Sequence, residues 1–206
     1  MQKKLVICTP EAIRWQRFID GDEQAFAELF NLHFRKLCNY GYKIIPDKDL
    51  IKDCVQEVFI HLWHNRTKLV YTEAIHFYLL KSLRGKLIRI LKKQKKISWE
   101  TLNPDLPCFE FNFTLQDNLT LSHTQAEQQE WLLKSLNALP AKQKEIIYLR
   151  FFNNLSYLEI ADVMAINYQV VRNYACKAIK TLRKKVDIVL AILLLLEQHS
   201  FYVPSN

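Results

Sequence analysis

The chain has 206 residues, room for one large domain or two small ones, and half of them are hydrophobic, so cores can form. Only 3 Gly and 6 Pro are present, a scarcity that disfavours all-β folds, which need turns in quantity, and leaves an all-α reading. The formal net charge of +8 points to anionic partners, and it is unevenly distributed along the chain.

Residues 1–63 are balanced, with nine Lys/Arg and nine Asp/Glu, and their apolar spacing predicts helices over about 11–19, 22–42 and 47–64. Asp22 and Asp47 are placed to cap the second and third. Phe26, Leu29, Phe30, Phe34 and Leu37 supply one core stripe. In the third helix Leu50, Ile51, Cys54, Val55, Val58, Phe59, Leu62 and Trp63 recur at the spacing of a buried face. The opposite face carries Asp53, Gln56, Glu57, Ile60 and His64. A purely solvating face rarely needs the isoleucine.

Residues 64–96 hold ten bases and one acid. A helix over about 74–95 winds Leu80, Leu83, Leu87, Ile90 and Leu91 to one side and Lys81, Arg84, Arg89, Lys92, Lys95 and Lys96 to the other. The bundle needs the apolar side, which leaves the basic side for phosphates. The preceding loop adds Arg66, Lys68 and Tyr71, a mixture able to hold an unstacked base. Residues 97–130 then contain six acids and no base. They read as an acidic connector, and as an ordinary linker its Trp99, Phe109, Phe111 and Phe113 would merely find local packing.

In residues 131–185, bases outnumber acids ten to three. Ser156 and Glu159 form a capping box opening the short helix SYLEIADVM, a turn spans Ala165 to Asn167, and a long basic helix starts at Tyr168. This is helix-turn-helix spacing. Val171, Tyr174, Ala175, Ala178 and Leu182 wind inward, while Gln169, Arg172, Asn173, Cys176, Lys177 and Lys180 wind outward, where amides and guanidinium groups can reach base edges and phosphates. Ten apolar residues among Val186 to Leu196 are too few for a membrane span of about 20. They read as the apolar end of the last helix, which something must cover.

Two segments resemble the extracytoplasmic-function sigma factors of bacterial RNA polymerase over about residues 18–185. DCVQEVFIHLW, from Asp53, is similar to the family's DxxQEVFxxxW signature, and LNALPAKQKEIIYLRFFNNLSYLEIADVM is similar to its LPxxxREVfxLrffxgLSyxEIAxxL segment. The resemblance implies two small helical domains joined by an acidic linker: residues 1–96 for core polymerase binding and minus-ten melting, 97–123 as linker, 124–185 as a helix-turn-helix domain for the minus-thirty-five element, and 186–206 as an apolar helical extension and tail. Asp53, Gln56, Glu57 and Ile60 would then contact the polymerase core, with β′ and β as partners. Arg66, Lys68, Tyr71, Lys81, Arg84, Arg89 and Lys92 would serve the minus-ten DNA, and Gln169, Arg172, Asn173, Lys177 and Lys180 the minus-thirty-five DNA. An anti-sigma factor or a DNA-bound recruiting partner is a further implied partner.

Three departures bear on promoter reading. The family's "RN" dipeptide is Arg84-Gly85 here, its phosphate-binding threonine is Val170, and its turn glycine is Ala165. Either Arg84, Gln169, Arg172 and Asn173 read a different promoter, or selectivity is weak and a partner places the factor. The rival function, a free-standing helix-turn-helix regulator, has no use for the stripe around Ile60. An enzyme is not expected. There is no GxxxxGK loop or nucleophile elbow, and His61 with His64 lacks a third ligand, so neither cofactor nor metal is expected. Cys8, Cys38, Cys54, Cys108 and Cys176 are widely spaced, without a CxxC pair or secretory signal, and read as reduced thiols of a cytoplasmic protein.

Overall fold

The computed structural model describes residues 10–69, 75–95, 109–111 and 123–200, and among them all regular structure is helical. In chain order come α1 (Pro10–Ile19), α2 (Glu23–Ile44), α3 (Lys48–His64), a 3-10 turn (Arg66–Lys68), α4 (Ile75–Lys95), α5 (His123–Asn137), α6 (Ala141–Phe151), α7 (Tyr157–Met164) and α8 (Tyr168–Ser200). The chain divides into two compact units, one carrying α1–α4 and the other α5–α8 apart from the last turn of α7.

The first unit begins where the caps direct it. Asp22 accepts from the backbone N–H groups of Gln24 and Ala25, and Asp47 accepts from that of Leu50, so each satisfies donors that a helix start leaves open. Helices α2, α3 and α4 then pack on one another around Leu29, Leu37, Ile51, Val55, Phe59, Leu62, Leu79, Leu83 and Leu87, all almost fully buried. Each such side chain contributes about 1.5–3 kcal/mol of apolar transfer. Packing therefore fixes which face of α3 is left outside. An aromatic chain reinforces it, with Phe26 5.1 Å from Trp63 and Phe30 4.9 Å from Phe59 between ring centroids. Gly41 lets α2 and α3 close up, because a Cβ there would stand 2.7 Å from Ile51 Cγ2. Cys38 and Cys54 are core residues whose thiols burial pushes up, and Cys176 is exposed. Cys8 and Cys108 lie outside the described residues.

The winding of α4 needs one correction. Arg84 was expected on the exposed basic side, but it is only 7% exposed. It stands four residues after Leu80 and three before Leu87, which puts it on the buried stripe itself.

In the second unit α6 packs against α8 through Ile146, Leu149, Val171, Ala175 and Ala178. Two residues of the acidic connector, Phe109 and Phe111, belong to this core, at 0% and 4% exposed. Trp99 and Phe113 lie outside the described residues. Helix α8 continues without a break past residue 185, so the apolar run from Val186 is helical extension, as its sequence suggests. No helix among the described residues is long and apolar enough to cross a membrane.

Candidate functional site

Three exposed surfaces carry the residues singled out above. On α3, Asp53, Gln56, Glu57, Ile60 and His64 all face outward, because Cys54, Val55, Val58, Phe59 and Leu62 between them are held in the core. Ile60 is 54% exposed, an apolar side chain left in water within a polar row. Beside it lies a surface groove of about 350 Å³ lined by Glu23, Phe26, Ile60, Trp63 and His64. The sequence pattern placed Phe26 and Trp63 wholly in the core, whereas both also floor this groove. The Glu57 carboxylate accepts a hydrogen bond from the Lys86 ammonium on α4. Such a partly exposed pair adds at most about 1 kcal/mol to stability. Its larger effect is to neutralise one of the two carboxylates in the row and orient it.

The basic surface is narrower than the charge count suggests. Lys81, Gly85 and Arg89 are exposed at intervals of four, one line along α4, with Lys92 half-buried in the next turn. Arg89 Nε donates to the Gly85 carbonyl at 3.1 Å, and a Cβ built on Gly85 would meet nothing within 4 Å. The line thus has a gap at its centre. Lys68 is exposed on the 3-10 turn. Arg66 is already engaged: its guanidinium lies 4.4 Å from the Trp63 ring centroid and donates to the Trp63 carbonyl at 3.0 Å, a stack that favours cation–π attraction over free phosphate reach. Tyr71 lies outside the described residues.

The third surface is the outer side of α8. Its geometry starts at the capping box, where Glu159 accepts from both the backbone N–H and the hydroxyl of Ser156, and Ser156 Oγ accepts from the Glu159 N–H. The turn after α7 passes through Ala165 at φ 54, a left-handed conformation that costs an L-residue about 1 kcal/mol and suits glycine better. Asn167 then caps α8 by accepting from the Gln169 N–H at 2.8 Å. Gln169, Val170, Arg172, Asn173, Lys177 and Lys180 are exposed. Gln169 Nε2 donates to Asn173 Oδ1 at 3.3 Å, one turn away, while the Arg172 guanidinium sits 5.9 Å from the Tyr168 ring. Amides, a guanidinium and two ammonium groups thus share one helix face behind its N-terminus, the arrangement that reads a major groove. Among the described residues no group of His, Cys, Asp and Glu could hold a metal ion.

A helical unit with a polar row around Ile60 and a basic helix, followed by a helix-turn-helix unit, defines a class: transcription factors that bind DNA. The sequence matches the family described as "Sigma-70 region 2" over residues 29–97 and that described as "Sigma-70, region 4" over residues 129–182. Together these span more than half of the chain, which belongs to the sigma-70 family and is an RNA polymerase sigma factor of the extracytoplasmic-function type. It is 22% identical over 170 residues to the ECF RNA polymerase sigma factor SigX of Bacillus subtilis, covering 81% of this chain and 86% of the relative. Its identity to the ECF RNA polymerase sigma factor SigK of Mycobacterium bovis is 19% over 179 residues, with 84% and 91% covered. Two solved structures share the fold. The sigma factor RpoE, in complex with the anti-sigma factor NepR from Bartonella quintana, matches with a TM-score of 0.56 at 17% identity, over 79% of this chain and 97% of that one. CnrH, in complex with the cytosolic domain of CnrY, gives 0.55 at 16%, over 86% and 97%.

Proposed function

We propose that the α3 row of Asp53, Gln56, Glu57 and Ile60 docks on the polymerase core, that residues 64–96 melt and hold the minus-ten element, and that residues 156–185 seat on the minus-thirty-five duplex. The protein acts in the cytoplasm and catalyses nothing itself. The observation that carries the docking assignment is Ile60, 54% exposed amid polar side chains on a helix whose other face is fully packed. An apolar anchor inside a polar rim is the anatomy of a binding hot spot. A helix-turn-helix regulator acting alone would gain nothing from it.

The direct experiment is co-elution of the chain with bacterial core polymerase, followed by transcription from a pre-opened bubble template. Gln56→Ala with Ile60→Asp removes the anchor and one polar contact without touching the core. Binding should weaken by about 2 kcal/mol or more, roughly thirtyfold, with helical content unchanged. Undiminished co-elution would remove these residues from the interface.

A second reading concerns selectivity and is favoured by the open space at Gly85. With no side chain there, and Val170 exposed where a hydroxyl could bind phosphate, the factor reads promoters weakly and depends on a DNA-bound partner for placement. RpoE and CnrH were both solved with a bound protein partner. By analogy, an anti-sigma protein that masks the docking surfaces of this chain is the other partner to seek.

A further inference from the structure

The α3 row is tied to the basic helix beside it at one point. The Lys86 ammonium on α4 donates to the Glu57 carboxylate on α3, with the lysine side chain 26% and the glutamate side chain 59% exposed. The lysine is the sheltered partner, and the carboxylate is the one an incoming surface meets first. Asp53, one turn before Glu57, is exposed on the same row. All three charges act on one spot of α3: burial raises the Cys54 thiol, Lys86 opposes that rise, and Glu57 and Asp53 add to it. One ammonium thus serves a spot with two carboxylates, so the surface that fits the row carries cations. Along α4, Lys86 also belongs to a second series. Arg89 and Lys93, three and seven positions further on, are exposed, at the spacing of neighbours on one helix face. Arg89 folds back to the turn that carries Lys86, its Nε donating to the Gly85 carbonyl at 3.1 Å. A lysine stem is a flexible chain of four carbons. An ammonium released from Glu57 therefore needs only a change of rotamer to join Arg89 and Lys93.

We propose that Lys86 is a further DNA-contacting residue, held from phosphates by Glu57 in the free protein and handed to them when a cationic side chain of the polymerase core takes Glu57; the inference rests on the docking and minus-ten assignments above. The exchange of ion-pair partners links the two contacts without moving a helix. It is also reciprocal. A phosphate that holds Lys86 leaves Glu57 open, so DNA tightens polymerase docking by the same factor by which polymerase tightens DNA. One phosphate contact changes the slope of log affinity against log salt by about 0.7–0.9, which is roughly threefold in affinity between 50 and 200 mM salt.

The test is the salt dependence of binding to one pre-opened bubble template, measured by fluorescence anisotropy for the full-length factor alone and for its complex with core polymerase. Glu57→Gln, Lys86→Ala, their combination and the conservative Lys86→Arg are compared with the unaltered factor, and circular dichroism checks that helical content is equal. Should Lys86→Ala lose helix, Lys86→Gln takes its place. For the factor alone, Glu57→Gln should steepen the slope by about 0.7–0.9. Lys86→Ala should cancel that gain in the combined variant yet have no effect while Glu57 is present. In the polymerase complex Lys86→Ala should flatten the slope by about the same 0.7–0.9, and Lys86→Arg should keep it. If Lys86→Ala flattens the slope of the free factor as much with Glu57 as without it, net charge alone is at work and the proposal is overturned. A complex whose slope is indifferent to Lys86→Ala overturns it as well. Failure of the unaltered factor to co-elute with core polymerase would instead overturn the docking assignment beneath it, and the free-factor comparison then decides by itself whether Glu57 masks Lys86.

Discussion

Replacing Gly85 separates two effects that the structure predicts to be independent. The residue lies inside α4, on its exposed side, and an added Cβ would meet nothing within 4 Å. Gly85→Ala therefore has no packing cost and recovers the helix-propensity difference of about 1 kcal/mol. If the first unit, of about 100 residues, melts cooperatively, its midpoint should rise by about 4–8 °C. Gly85→Asn recovers less, a few tenths of a kcal/mol, but places an amide in the line between Lys81 and Arg89. A well-made base contact discriminates by about 1–3 kcal/mol, which is tenfold or more in selectivity. The assays are thermal unfolding by circular dichroism, and selection of transcribed sequences from a randomised promoter library with core polymerase. Unaltered or lowered melting in Gly85→Ala would refute the open-helix account. A motif no sharper with Gly85→Asn than with Gly85→Ala would refute the claim that the missing side chain limits promoter reading.

Gly41 should respond in the opposite direction. A Cβ at 2.7 Å from Ile51 Cγ2 forces the isoleucine or the helices to move, and overpacking of this kind costs about 1–3 kcal/mol, so Gly41→Ala should lower the urea midpoint despite its better propensity. His33 is 2% exposed, with the His76 ring stacked at 5.5 Å, Glu11 at 3.3 Å, and Lys36 and Arg14 nearby. Burial, then His76, Lys36 and Arg14, lower its pKa to about 4. The unfolded chain therefore takes up the proton first, and stability is lost as pH falls from about 6.5 toward 4. Between pH 7 and 5 the loss from this group is about 2 kcal/mol, and equilibrium unfolding of His33→Leu at both pH values should show that much less dependence. Finally, replacing Lys177 and Lys180 by Ala should flatten the log affinity against log salt plot on duplex DNA by up to about two units; an identical slope would take both residues off the phosphates.

The helices were legible because each signal is local. Asp22, Asp47 and the Ser156–Glu159 pair cap the helices their positions suggest, and α3 and the first turns of α8 present the outward residues that their periodicity assigns. Arg84 was misplaced because its charge outweighed its position, between Leu80 and Leu87 on the buried stripe. Contacts between elements left no trace in the pattern. Lys86 meets Glu57 across 29 positions, and Asn137 meets Phe111 across 26, so a basic residue on one helix and an amide on another gave no hint of their partners. Glu145, at 0% exposed in α6, looks like any surface carboxylate in sequence.

Helix α8 has a mechanical consequence. Its 33 residues make a rod about 50 Å long, and the stretch from Tyr168 to Ser200 contains neither Gly nor Pro to let it kink. The residues proposed for the major groove, Gln169, Arg172 and Asn173, occupy one end. A force applied to the other end therefore acts with nearly the whole rod as its arm: a tilt of about 10° imposed there sweeps the recognition turn through roughly 9 Å, more than two base-pair steps. A protein gripping the apolar end would steer the end proposed to read DNA without touching DNA.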